Sequence, residues 1–502
     1  MLAVLVAWAW IASAAGLPHD LTPPTGHAWQ DYLAEAWWLI HDQFPKKETW
    51  RDPLYMTLVG VIGEAFLDYG SAAVLVSAGS ALALIAGSAL GARALAGPWA
   101  GVVAAFCAAS IPSVGLSVRW ATIYTLLAGA SSLTVGLALA LARWPRLGLA
   151  AATGLVGGLA WATDGRGALV LPMAALCVAL ATWRRPGPTR VLLPLLFAAG
   201  LGLKPWADAQ LRVVPVIPFE QRMEEQREVG LRWVSTSNDP EMKAACQGEP
   251  KFELPNPDAL TRPCAREVLR HNLSWILPNH WPAPGWAIVL GFVGLLLPGR
   301  HRGSWLDAVA FVGGLGACWL FVALWVPMPT RYVLQFLGPL ALVAPAGVFR
   351  HLGRLPRLPR AAILPLVAAA ACVWVTGWVR PSVGEGLPEL RTTAFEREDA
   401  ALSVVEQVMG PDDLWLDCSL LRLSVSHLPT VHHDGEPMFA PEGKRCLAWI
   451  QDPPQAEGAT TWVSVGLKLD PHTDSPDMQQ MKAMGWEHRY TRQTFRLFSF
   501  GG

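Results

Sequence analysis

The chain reads as a mainly α-helical, polytopic membrane protein with about eleven transmembrane helices and a small C-terminal α/β domain outside the membrane. Three observations carry this. Hydrophobic residues make up 52% of the 502 and charged residues only 16%, a balance too apolar for an ordinary soluble domain. Apolar runs of spanning length recur over the first 380 residues. Every second connection between those runs carries arginine, the mark of a cytoplasmic loop.

The first run, residues 1–17, is short, and its Ala12-Ser13-Ala14 imitates a signal-peptidase site. No Lys or Arg precedes the apolar core, and about 17 residues still suffice to cross, so it is expected to be a span. A polar stretch from Gly26 to Tyr55 follows. At helical spacing Asp31, Glu35 and Asp42 fall within about 40° of one another, with Trp29, Leu33, Ala36, Trp37 and Ile40 on the opposite face. This predicts an amphipathic helix with an acidic stripe, lying flat on the membrane surface, and it is where chemistry is expected. Residues 53–67 are apolar but carry Glu64, and predict a second interfacial or half-inserted helix.

Crossing segments are then expected at 70–92, 98–116, 122–142, 147–163, 167–183, 191–205, 284–299, 305–326, 332–349 and 361–378. With the N-terminus in the cytoplasm, the inner loops contain Arg93, then Arg143 and Arg146, then Arg184, Arg185 and Arg190. Arg300 and Arg302 follow, and finally Arg350, Arg354, Arg357 and Arg360. The outer regions are the amphipathic loop 19–69, a long loop 206–283 and the domain 381–502; the membrane domain is 1–380. An odd number of spans puts the C-terminal domain outside the membrane.

The C-terminal part changes period. A helical stretch at 394–409 precedes strand-length runs at 413–419, 445–450 and 461–469, a polar helix near 476–484, and two final strand-like runs at 486–491 and 494–500. Cys107, Cys177, Cys318 and Cys372 fall inside predicted spans, as packing residues. The other four divide evenly, Cys246 with Cys264 in the outer loop and Cys418 with Cys446 in the C-terminal domain, which predicts two disulfides in an oxidising compartment.

Several function classes are excluded. Lys plus Arg and Asp plus Glu each number 39, and no basic face for nucleic acid is present. There is no Walker loop, no Gly-x-Gly-x-x-Gly between a strand and a helix, and no His/Cys cluster at zinc spacing. The adjacent His432 and His433 lack a third donor and read as loop residues, so neither a divalent metal nor another cofactor is expected from the sequence. What remains are ionisable residues at the outer ends of spans, where charge is costly: Arg119, Asp164, Arg166, Lys204 and Arg331.

The order of these features resembles the type-C polytopic membrane glycosyltransferases, in particular the protein O-mannosyltransferase and lipid A aminoarabinose transferase group. The resemblance rests on the acidic loop after span one, Asp52-Pro53-Leu54-Tyr55, the stretch Gly-Leu-Ala-Trp-Ala-Thr-Asp-Gly-Arg ending at Arg166, and Arg331-Tyr332, and covers about residues 1–350. It implies inverting transfer of a sugar from a polyprenyl-phosphate donor to a lipid, glycan or protein acceptor. The transfer would occur at the outer face of a plasma membrane, the inner membrane in a bacterium. It further implies that Asp31 acts as general base, since an attacking hydroxyl needs a carboxylate to take its proton. Glu35, one turn later, competes for that role.

The leaving lipid phosphate would require cations, for which Arg166, Lys204, Arg331 and Arg119 are the candidates. Alternatively they are interfacial cations that snorkel or pair locally, as Arg166 could with Asp164. Relatives carry a second acid between spans three and four, where this chain reads Arg119-Trp-Ala-Thr-Ile-Tyr124. Glu35 or Asp164 in its place, a different acceptor, or lost activity are the open readings. The last would make the protein an inactive member of the fold serving envelope assembly. A transporter is the third alternative, although neither an internal repeat nor mid-membrane charge stands out.

Overall fold

The computed structural model describes residues 1–14, 32–40, 51–66, 69–212, 215, 240–246, 263–264, 266–271, 285–298, 302–325, 330–352, 365–373, 414–418, 460–466, 482–492 and 495–500. Helix α1 (Leu2–Ala14) is apolar on every side and is followed by α2 (Ala34–Ile40) and α3 (Leu54–Phe66). The 28-residue α4 (Tyr69–Ala96) leads to α5 (Pro98–Ala109) and α6 (Pro112–Trp120). Next are α7 (Ile123–Arg143) and α8 (Leu147–Thr163), and a 3-10 turn over Gly165–Val170 that enters α9 (Leu171–Trp183). After α10 (Thr189–Leu201) and α11 (Leu203–Leu211) come the short α12 (Pro240–Cys246), α13 (Gly285–Leu296), α14 (Arg302–Trp325), α15 (Thr330–Ala341) and α16 (Val343–Leu352).

Among the described residues four helical segments are long and apolar enough to cross a membrane: Tyr69–Ala96, Ile123–Arg143, Gly165–Trp183 and Thr189–Leu211. The pair α5 and α6 makes a fifth if counted as one bent span. The protein is therefore a mainly helical, multi-pass membrane protein.

The centre of the bundle is α4 against α7, packed through small residues because close backbone approach, rather than water exclusion, drives helix association in lipid. A Cβ on Gly87 would collide with the Ser132 carbonyl, and one on Gly136 with the Gly87 carbonyl. Ser88 Oγ donates to the Gly338 carbonyl at 2.9 Å, and Ser132 Oγ to the Leu84 carbonyl at 3.0 Å, which ties α15 into the same seam. The indole of Trp8 donates to the Ala78 carbonyl at 3.0 Å and holds α1 on α4.

Three expected spans are not single rods. The segment expected at 98–116 is broken into α5 and α6, bent by 67°; Pro112 opens α6 and lacks the N–H that would have continued the α5 ladder. The segment expected at 332–349 is two helices meeting at Leu342, with Pro339 inside the first. The segment expected at 191–205 continues through α11 to Leu211, past the place where the sequence pattern put the start of an outer loop.

In the first loop, the expected amphipathic helix is described only over α2 and the turn before it. Glu35, the described member of its expected acidic stripe, is fully buried with Tyr32, Leu33 and Ala36. A Cβ on Gly60 of α3 would meet Ala36 O at 2.9 Å, so α2 is seated directly on α3. Asp31 and Asp42 lie outside the described residues.

Cys246 of α12 is joined to Cys264. In the C-terminal part, β1 (Leu414–Cys418), β2 (Thr461–Gly466), β3 (Glu487–Arg492) and β4 (Phe495–Phe500) form one sheet in the order β1-β2-β4-β3. β1 runs parallel to β2, with Leu414 opposite Thr461, and β4 is antiparallel to both β2 and β3. The expected helix at 394–409, the run at 445–450, His432, His433 and Cys446 lie outside the described residues.

Candidate functional site

Charge is concentrated where the start of α3, the end of α8 and all of α11 come together. Leu54, Ala162 and Ala207, one from each helix, form a small buried apolar cluster with Leu58, Leu159 and Leu211 against it. That contact fixes the helix ends from which the charged side chains project.

Asp52, in the segment that opens α3, is the hub. Its Oδ1 accepts from Lys204 Nζ at 2.6 Å and from Arg212 Nη2 at 3.2 Å. Asp208 Oδ1 accepts from the same two groups, at 2.8 Å and 2.7 Å. Two cations and two carboxylates thus close a four-membered ring of alternating charge. Lys204, Asp208 and Arg212 sit at i, i+4 and i+8, so the continuation of the helix past residue 205 is what stacks them. Burial pushes the Asp52 carboxyl above its ordinary range; Lys204 pulls against it, while Asp164 and Asp208 add to the push.

Asp164 takes an extended conformation that ends α8 and starts the 3-10 turn. Its carboxylate accepts from the backbone N–H of Arg166 at 2.8 Å and, in bidentate fashion, from Arg166 Nε at 2.8 Å and Nη2 at 2.7 Å. The guanidinium also stacks 4.8 Å over the ring of Tyr124 from α7. Gly167 makes the turn possible, since a Cβ there would strike the Ala160 carbonyl.

On the other side of Asp52, the neighbouring Arg51 reaches Glu35 Oε1 at 2.5 Å and lies 5.0 Å over the ring of Tyr32. Tyr32 meets Tyr55 edge-on at 5.7 Å, and the Tyr55 hydroxyl donates to the Ala121 carbonyl at 2.6 Å. Ala121 holds a left-handed conformation (φ 49°, ψ 52°) in the turn between α6 and α7. The site therefore joins four carboxylates, Glu35, Asp52, Asp164 and Asp208, with four cations, Arg51, Arg166, Lys204 and Arg212. Among the described residues no three His, Cys, Asp or Glu side chains are grouped to hold a metal ion.

Of the residues expected from sequence, Glu35, Arg166 and Lys204 are brought to this cluster. Arg119 is buried in the last turn of α6. Arg331 begins α15 with its side chain outside the described residues, and Asp31 lies outside altogether. Sequence reasoning missed Arg51, Asp208 and Arg212, and noted Asp52 only as part of a motif. The spacing Lys204–Asp208–Arg212, with Leu203, Ala207 and Leu211 alongside, was the readable signal for the last two.

No family model and no curated protein matches the chain. Solved structures do. The apo structure of ArnT from Cupriavidus metallidurans aligns at a TM-score of 0.59 and 14% identity, covering 99% of each chain. The same protein bound to undecaprenyl phosphate aligns at 0.55, again with 14% identity and 99% of each chain. The mycobacterial arabinofuranosyltransferase AftD aligns at 0.50 and 14% identity over 100% of this chain. This chain spans 40% of AftD, and 53% of the Archaeoglobus fulgidus oligosaccharyltransferase, which aligns over 76% of this chain at 0.44 and 16% identity. The protein has the fold of the type-C membrane glycosyltransferases.

Proposed function

We propose that the protein transfers a sugar from a polyprenyl-phosphate donor to an acceptor hydroxyl, on a lipid, glycan or protein, at the outer face of the membrane. The observation that carries this reading is the ring of Asp52, Lys204, Asp208 and Arg212, flanked by Asp164–Arg166 and Glu35–Arg51. It offers cations for a phosphate beside carboxylates for a hydroxyl. ArnT, of the same fold, has been solved with undecaprenyl phosphate, which supports a lipid phosphate as the ligand here.

In this reading the acceptor oxygen attacks the anomeric carbon opposite the bond to phosphate, and the sugar inverts. The proton of the hydroxyl passes to a carboxylate, and the electron pair of the breaking bond leaves on phosphate oxygen, where Lys204 and Arg212 meet its charge. Asp31 is the base proposed. Glu35 is fully buried and held by Arg51, so its role is to position that arginine. Arg166, already bidentate on Asp164 and stacked on Tyr124, shapes the site, whereas Arg331 and Arg119 remain proposed phosphate contacts. Eleven spans, a cytoplasmic N-terminus and an outer α/β domain belong to the same proposal. The turn between α6 and α7 carries no carboxylate, which favours inactive membership in envelope assembly as the second reading.

The test is transfer of radiolabelled sugar from a panel of polyprenyl-phosphate sugars in membranes. Asp31→Asn is expected to lower transfer by about 10²-fold or more at unchanged protein level. Native transfer by Asp31→Asn overturns the base assignment, and a native chain that consumes no donor overturns the enzyme.

A further inference from the structure

We propose that Asp208 is a resident counter-ion, an internal stand-in that holds Lys204 and Arg212 in position and gives way when a lipid phosphate occupies the site. The proposal rests on reading this cluster as a lipid-phosphate site. It starts from an asymmetry within the ring. Both carboxylates accept from the same Lys204 Nζ and Arg212 Nη2, but the Asp208 side chain is 34% exposed and that of Asp52 only 7%.

Asp52 is buried at the start of α3. Asp208 lies on α11, four residues after Lys204 of the same helix and four before Arg212, which caps it, so a rotation about its side-chain torsions releases it without moving backbone. Asp208 is the more exposed end of each i,i+4 pair, and water stabilises the freed carboxylate.

Charge balance makes the exchange necessary. Lys204 and Arg212 are already neutralised by Asp52 and Asp208, and Asp164 adds repulsion at Asp52. A lipid phosphate, with one negative charge as the donor diester or up to two as the monoester left by transfer, would leave the ring anionic by that amount. With Asp208 swung out, the two cations face the phosphate and Asp52 alone. Arg212 also has a donor to spare: its Nη1 is buried and makes no hydrogen bond among the described residues. Phosphate oxygens, unlike a single carboxylate oxygen, can engage both arms of the guanidinium.

The two roles Asp208 could play predict opposite signs. A structural staple strengthens both the empty protein and its ligand binding. A counter-ion strengthens the empty protein and competes with the ligand, lowering apparent affinity by the fraction of molecules with the cations free.

The experiment measures binding of undecaprenyl phosphate, and separately of inorganic phosphate, to the full chain in detergent. Native protein is compared with Asp208→Asn, Asp208→Ala and Arg212→Gln, with the thermal midpoint of each recorded without ligand. Asp208→Asn and Asp208→Ala are expected to melt lower when empty yet to bind undecaprenyl phosphate about 5- to 10-fold tighter, while Arg212→Gln binds about tenfold weaker. The same gain for inorganic phosphate assigns the seat to the phosphate group alone; a gain confined to the lipid assigns it to the lipid headgroup. If both Asp208 variants bind no tighter than native while Arg212→Gln binds weaker, the counter-ion is overturned and the phosphate reading stands. If neither native nor variant protein binds either probe, the phosphate reading falls and the counter-ion with it.

Discussion

Tyr55 connects the first loop to the turn that faces it across the site. Its hydroxyl is the donor for the Ala121 carbonyl, at a residue forced into the left-handed region where a side chain costs about 1–2 kcal/mol. Tyr55→Phe leaves that carbonyl buried without this donor, and a loss of ~1–3 kcal/mol is expected, read as a lower thermal midpoint of the detergent-solubilised protein. No change would mean that water replaces the hydroxyl. The same scale shows how partly the site was legible. Asp164–Arg166 is two residues apart and was visible as a local pair, but Lys204 meets Asp52 across 152 positions and Arg212 meets it across 160. Periodicity carries information about neighbours on one helix and none about which helix ends adjoin. Glu35 makes the point from the other side: its spacing marked an acidic stripe, and spacing alone could not say that Glu35 turns inward to Arg51.

At the scale of elements, α4 and α7 approach until only glycine fits at positions 87 and 136. Gly87→Val and Gly136→Leu would drive side chains into the facing backbone, and little folded protein is expected, measured as the monodisperse fraction after extraction. Gly79 of α4 is the control, because a Cβ there meets open space; Gly79→Ala should be neutral or stabilising by up to about 1 kcal/mol. A Gly79→Ala variant that behaves like Gly87→Val would show that the loss at Gly87 does not come from its contact with the facing backbone. Most helices were readable from hydropathy to within a few residues, and the failures share a cause. At residues 98–116, 191–205 and 332–349, composition measured the length of apolar chain, while the breaks and extensions depend on where backbone hydrogen bonds are interrupted or continued. The extension of α11 mattered most, since it moved Asp208 from a supposed loop onto the helix that carries Lys204 and made Arg212 the residue that caps it.

At the scale of the molecule, the Cys246–Cys264 bond closes a loop with a sequence separation of 18 in the segment expected outside. Its loss in Cys264→Ser is expected to cost about 3 kcal/mol, seen as a lower midpoint that reductant lowers no further. If reductant leaves the native midpoint unchanged, the bond contributes nothing to stability. The sequence by itself determined that this chain lives in a membrane and roughly where its helices run, because both depend on sums over contiguous residues; the fold it resembles followed from the order of short motifs along the chain. The four-stranded order β1-β2-β4-β3, the fully buried Glu35 and the ring of Asp52, Lys204, Asp208 and Arg212 were decided only by tertiary structure. A charge can be costly in its own segment and still be satisfied by a partner that only packing brings near, so the placing of charges in this site is a property of the folded chain.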